Sequence, residues 1–422
     1  MGTALRDEYP VDPETVWSPV KLLISAYDRI TLHPSNPRYE LTGPARVNAD
    51  QLFGIIYSEI IEELRHNLSP QSNQPVPVYP FAYDWRQPLE NVQNALADFI
   101  DEVLERTRLL QHYYDAGFGD EARFPARVNL VAHSMGGLVV AGYLQARGMD
   151  KIYKVATIAA PLRGSLESIT KTAIGVGALG NSPGSSRERE AARLTPSLYY
   201  LLPSFAGAVT LEGQPAPDAW ALFQVGQWQP GILQTLASFI GQHALDKSNP
   251  NQQARQLLQA MLDKALAYRN GIEALRLADS KKWLSIVGVG ASTRVTMDIV
   301  KDDDGNPRFV LDDSGVQEHY SDGNPVETGD NTVPYFGART SCIPTEQVVC
   351  VSPKDFSFWE FKDRLLESQG LHITLPNMNL VQRLVTSHLK DQIYGDVWGR
   401  PAPDLPAGVA WDPPIAGLKM AN

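Results

Sequence analysis

The sequence predicts an α/β fold, a mostly parallel sheet flanked by helices with a large, mainly helical insertion, and three observations carry that prediction. Between residues 50 and 150 strand-like and helix-like segments alternate, and a further strand follows, which implies a parallel sheet with helices on both faces. The run Val128–Leu138 drives a β-branched strand into a Ser-centred turn and straight on into an aliphatic helix. From about Gly164 to Ser280 the alternation stops, and afterwards it resumes. The chain has 422 residues, 43% of them hydrophobic, enough to bury a large core.

Taken in order, Leu52–Leu68 has a helical pattern, Val76–Ala82 reads as a buried strand, and Val92, Leu96, Phe99/Ile100 and Val103 mark one face of an amphipathic helix. The strand at Val128 and its helix follow. A further strand, Ile152–Ala160, is ended by Pro161 and Gly164. The interruption holds a Gly/Ser-rich stretch (Gly175–Ser186), the Pro-flanked run Pro196–Pro203, and a long helix with Leu258, Met261/Leu262 and Ala265/Leu266 on one stripe. The sheet pattern resumes at Trp283–Val289, and Arg294–Val300 and Arg308–Leu311 form a hairpin joined by Asp303-Asp304-Gly305-Asn306. The expected division is therefore residues 1–163 and 281–422 as two halves of one core, with 164–280 inserted as a cap. The Gly/Ser stretch would serve as hinge, and Leu198–Leu202 is too apolar to be left in water without a partner.

A formal charge of −11 argues against nucleic acid and against electrostatic docking to anionic membrane, so lipid contact would be apolar, through the cap. No apolar run reaches the ~20 residues of a membrane span, and no basic-then-apolar leader opens the sequence, which taken literally implies a cytoplasmic protein. The two cysteines, Cys342 and Cys350, form either a small disulfide loop or two free thiols, and paired Cys or His spacing for zinc is missing. The acidic hairpin turn lacks the spacing and terminal Glu of a calcium loop. Neither metal nor cofactor is expected.

The chemistry sits at the Ser-centred turn. Ala132-His133-Ser134-Met135-Gly136 has the form of a nucleophile elbow, in which small residues two before and two after a strained Ser keep strand and helix from clashing. The helix starting at Met135 aims free N–H groups at any anion forming beside Ser134. A serine needs a His to take its proton and a carboxylate to fix that His, and on such a sheet they follow in the chain order Ser, Asp, His. Asp330 in Gly329-Asp330-Asn331-Thr332-Val333-Pro334 is the acid best placed on a loop, its rivals Asp312, Asp313 and Asp322 lying in polar turns. His372, on a loop ahead of a helix, is favoured over His388, which lies inside a helical pattern. His133 is expected to point the other way off the elbow in a structural role.

Four segments, Ala82–Arg86, Ala132–Gly137, Ala160–Ser165 and Gly329–Pro334, together with Trp17 in Thr15–Pro19, resemble signature segments of the lecithin:cholesterol acyltransferase-like lipases, in order along nearly the whole chain. The resemblance implies an α/β-hydrolase fold with a cap, a triad at Ser134, Asp330 and His372, and hydrolysis or transfer of lipid acyl esters, whether as lipase, phospholipase or acyltransferase. Tyr83–Arg86 ends a strand at the carboxyl edge of the sheet, where ligand loops gather, so it is expected to be structural or pocket-lining, with Tyr83 and Trp85 binding substrate and Asp84 paired to Arg86 or another cation. Asn331 stands where the family usually has Gly, a mild change because Asn tolerates positive φ. Family members also carry an N-terminal strand and a Pro-Gly motif supplying a second oxyanion donor. Here the matching position is Met1, with Met135 the other donor, so the natural protein is expected to be longer and, with a leader, secreted. A catalytically inactive binding protein on the same fold is the alternative.

Overall fold

The computed structural model describes residues 3–7, 14–17, 30–41, 47–173, 184–216, 221–317, 328–356 and 370–421. Four strands form the central sheet: β1 (Val128–His133), β2 (Ile152–Ile158), β3 (Trp283–Gly288) and β4 (Val349–Val351). They lie in the order β4-β3-β2-β1, every neighbouring pair parallel.

Side-chain alternation divides the core into two layers. Val155 of β2 and Trp283 and Val287 of β3 join the cluster built on α2 (Leu89–Arg108) and α3 (Met135–Arg147), while Ala156, Ile158, Leu284 and Ile286 face the cluster that contains Ile60 and Leu64 of α1 (Gly54–Leu68) and Leu380, Val381, Leu384 and Val385 of α5 (Asn379–Lys390). Helices thus cover both faces, as the unbroken aliphatic runs require. On α2 the buried positions Leu89, Val92, Leu96, Ile100 and Val103 recur every three to four residues, the stripe read from the sequence.

Val76–Ala82, expected as a buried strand, is a half-buried irregular segment. Pro75, Pro77 and Pro80 remove the N–H at three nearby positions, so a ladder cannot form through it. Among the described residues β1 is accordingly an edge strand, with Val131 36% exposed. A cavity of about 640 Å³ runs along that edge between α1 and α2, lined by Tyr57, Tyr83, Phe99, Ala132 and His133 among others.

Within the insertion, α4 (Pro250–Ala274) buries Ala254, Leu258, Met261, Leu262, Ala265, Arg269 and Ile272. It lies against α3, where the Tyr268 hydroxyl donates to the Leu138 carbonyl at 3.0 Å. Leu198–Leu202 has found its partner: Leu198, Tyr199, Tyr200 and Leu202 are buried, and the tyrosines and Leu202 share one cluster with α2, α3 and α4. The hairpin forms at Met297–Lys301 and Pro307–Val310, but it pairs with Val209–Leu211 of the insertion rather than extending the central sheet. Residues 175–183 of the Gly/Ser stretch, Asp322 and Met1 lie outside the described residues, as does the Trp17 side chain. Cys342 and Cys350 are two buried free thiols. No helix among the described residues is long and apolar enough to cross a membrane, and none of their carboxylate, His and Cys side chains group as a metal site.

Candidate active site

Ser134 joins β1 to α3 at φ 55°, ψ −132°. That conformation costs a residue with a Cβ about 1–3 kcal/mol, and it is held by its surroundings. The Ser134 N–H donates to the Ile158 carbonyl at 3.0 Å, and its carbonyl accepts from Gly137 at 2.9 Å. The demand for a small residue falls on Gly137 more than on Gly136: a Cβ at Gly137 would lie 2.3 Å from the Ala160 Cβ, whereas one at Gly136 would make ordinary contact with Ala132 at 3.6 Å. Ala132 and Gly136 are small, as the sequence suggested, but the tight approach is between α3 and the segment after β2.

The half-buried Ser134 hydroxyl lies 2.8 Å from His372 Nε2, and His372 Nδ1 lies 2.8 Å from Asp330 Oδ2. Asp330 is 1% exposed. Its other oxygen accepts from the backbone N–H of Thr332 at 3.0 Å and of Val333 at 2.7 Å, so the buried charge is fully hydrogen-bonded. With Asp330 accepting at Nδ1, the neutral imidazole of His372 turns its Nε2 lone pair to Ser134. The His372 N–H also donates to the Asp330 carbonyl at 2.9 Å, which ties the two loops at the backbone.

Asn331, expected to tolerate positive φ, has φ 77°. Its side chain accepts from the Leu371 N–H at 2.7 Å and donates to the Ser292 carbonyl at 3.0 Å, contributions a Gly could not make. Gly288, at the end of β3, escaped the sequence reading. A Cβ there would lie 2.6 Å from the Cβ of Asp330, so Asp330 reaches its place only over a glycine, and the Val-Gly-Val-Gly run ending β3 was the available signal. Thr328 and Thr293 were also missed. Their hydroxyls accept from Gly290 at 2.6 Å and from Asn331 at 2.9 Å and brace the Asp330 loop. Ser165, at the start of the insertion, donates from its hydroxyl to the Thr332 carbonyl.

Met135 is the first residue of α3, so its N–H has no partner inside the helix and stands beside Ser134. Tyr83 borders the cavity along β1, and Trp85 is buried in the core. Asp84 and Glu40 neutralise the buried Arg86, with Asp84 Oδ1 2.8 Å from Nε and Oδ2 2.7 Å from Nη2, while Nη1 donates to the Ile30 carbonyl at 2.9 Å. His388 is buried within α5 against the carbonyls of Val155 and Pro414 at 3.1 and 3.3 Å. His133 does not point away from the site. Its Nε2 is 2.9 Å from the His372 carbonyl, and its Nδ1 is 3.0 Å from the Tyr57 hydroxyl.

A parallel sheet covered on both faces, with a strained Ser between strand and helix in hydrogen-bond reach of a His, defines the α/β-hydrolase class. Within that class, the model of the lecithin:cholesterol acyltransferase family matches residues 52–343, and the chain belongs to that family. It is therefore an ester hydrolase or acyltransferase of lipid metabolism. Among solved structures the chain is similar to one in "The crystal structure of Tle4-Tli4 complex", with TM-score 0.53, 17% identity, and 80% of this chain and 86% of that chain covered. That likeness concerns the fold. Among curated proteins none matches the chain.

Proposed function

We propose that this protein cleaves the acyl ester bond of lipids through an acyl-Ser134 intermediate, with His372 as general base and acid and Asp330 orienting His372. The observation that carries the reading is the hydrogen-bonded chain from Ser134 through His372 to Asp330 at a strained elbow. As Ser134 Oγ bonds to the ester carbonyl carbon, its proton passes to His372 Nε2, and the carbonyl electrons collect on an oxygen facing the Met135 N–H. The intermediate then expels the alkoxide, which takes the proton from Nε2. Water or an alcohol attacks the acyl-enzyme by the same route in reverse, releasing acid or a new ester.

The insertion from 164 to 280 acts in this reading as a cap bordering the acyl site, supported by the bond from Ser165 to the Asp330 loop. Apolar contact with a lipid surface is assigned to the same element. A fluorophosphonate probe followed by mass analysis of the labelled peptide tests the nucleophile. Label on Ser134 in the native protein, and none in His372→Ala, is expected; label elsewhere, or none in active protein, would overturn the assignment. A radiolabelled ester offered together with an alcohol separates hydrolysis from transfer by the product formed.

A further inference from the structure

The proposed triad accounts for the ring of His372, held by Asp330, and for its Nε2, turned to Ser134. The backbone N–H of His372 is held by the Asp330 carbonyl, which leaves open what holds the His372 carbonyl. His372 lies in a helix of four residues, Leu371–Thr374, too short for all of its carbonyls to be satisfied within it. The His372 carbonyl is 2.9 Å from His133 Nε2.

A carbonyl only accepts, so His133 must carry its proton on Nε2. Its Nδ1 is then a bare lone pair, and the Tyr57 hydroxyl 3.0 Å away must donate to it. The result is a directed chain from the Tyr57 O–H to His133 Nδ1, and from His133 Nε2–H to the His372 carbonyl. We infer that His133 is a positioning residue for the general base, and that Tyr57 fixes the tautomer of His133 as Asp330 fixes that of His372. The inference rests on the proposed triad.

Two further observations fit a neutral His133. Its ring centroid is 4.8 Å from that of His372 at an interplanar angle of 38°, so a charge on His133 would oppose the charge His372 acquires during each acyl transfer. Burial, and then the neighbouring His372 ring, hold the His133 imidazole well below its usual range. Tyr57 and Tyr83, which line the same cavity, are kept as neutral phenols by burial. Because His133 immediately precedes Ser134, one short backbone segment carries both the nucleophile and the tether of its base. A displacement of the elbow therefore moves Ser134 and His372 together.

Amide side chains separate positioning from packing. In His133→Gln the terminal NH₂ reaches the place of Nε2 and can donate to the His372 carbonyl, whereas in His133→Asn the shorter amide replaces Nδ1 and cannot. His133→Leu fills the volume with no donor. Steady-state kinetics on a soluble ester should show kcat reduced roughly 10- to 100-fold in His133→Leu and His133→Asn, the scale of a misplacement of about 1 Å, with KM little changed. His133→Gln should regain most of the loss. Tyr57→Phe, which leaves the helix face apolar, should lower kcat by a smaller factor because His133 then exchanges tautomers.

Wild-type kcat in folded His133→Leu would overturn the inference, and so would His133→Gln impaired as severely as His133→Asn. If His133→Leu and His133→Asn fail to fold, Tyr57→Phe and His133→Gln decide: wild-type kcat in the first or near-complete loss in the second overturns it. Failure of the triad itself shows separately, as activity remaining in Ser134→Ala or His372→Ala.

Discussion

In the proposed mechanism Ser134 gives its proton to His372 and Asp330 orients His372, so removing any of the three impairs the same step. Ser134→Ala, His372→Ala and Asp330→Ala are each expected to lower kcat roughly 10⁴-fold or more, with double variants no worse than the worst single, because such residues act as a unit. Additive losses in the doubles would show independent roles. His388→Ala is the control: His388 hydrogen-bonds carbonyls away from the elbow, so stability should fall while turnover per folded molecule persists. At this scale the sequence was legible where the chemistry makes demands on the backbone. A small-x-Ser-x-Gly turn and a Gly-Asp-Asn-Thr loop betray strained or crowded positions. Tyr57 and His133 were not legible, because His133 meets His372 through a main-chain oxygen 239 residues away, and a carbonyl has no residue type to recognise.

Among the elements, Tyr83–Arg86 connects Val76–Ala82 to α2 and is anchored by Arg86. Asp84→Asn removes one of two carboxylates from a buried guanidinium, and breaking such a pair costs about 3–5 kcal/mol, moderated here by Glu40. The melting temperature should drop and substrate affinity weaken, while turnover of the folded enzyme stays near wild type. A selective loss of turnover with normal melting would give Asp84 a part in the chemistry. A cation partner for Asp84 was expected, Arg86 or another, and it is Arg86. The absence of strand pairing at Val76–Ala82 was not, since Val76, Val78, Tyr79 and Phe81 look like a strand until the prolines are counted against the ladder. Nor did Val209–Leu211, which pairs with the hairpin at Met297–Val310 and with Gln214–Pro215, announce itself, because three residues carry no periodic signal.

Over the whole molecule, two buried imidazoles set a pH dependence. Burial and His372 lower the pKa of His133, and burial and Lys154 lower that of His388. Below about pH 6.5 the unfolded chain protonates these groups while the folded protein keeps them neutral. The unfolded state then binds more protons, and stability falls as the pH drops from that point toward the depressed folded values. Each His contributes a slope of at most about 1.4 kcal/mol per pH unit. Melting curves from pH 8 to pH 5 should descend below pH 6.5, with a shallower descent in His388→Ala; a flat or rising profile would contradict the assignment. The α/β class and the helical character of the insertion were visible in advance from the alternation and its interruption, but the way the two parts share side chains was not. Arg269 of α4, 1% exposed, donates to the carbonyls of Pro161 and Leu162 after β2 and of Tyr200 and Leu202 in the insertion. A guanidinium in that position cannot leave without stranding the carbonyls of Leu162, Tyr200 and Leu202, so α4 has no low-energy route by which to melt ahead of the core it packs on. Calorimetry should therefore record one transition whose van't Hoff and calorimetric enthalpies agree, and slow amide exchange in α4 should match that in α3. Two resolved peaks would mean that insertion and sheet are separate cooperative units despite the shared arginine.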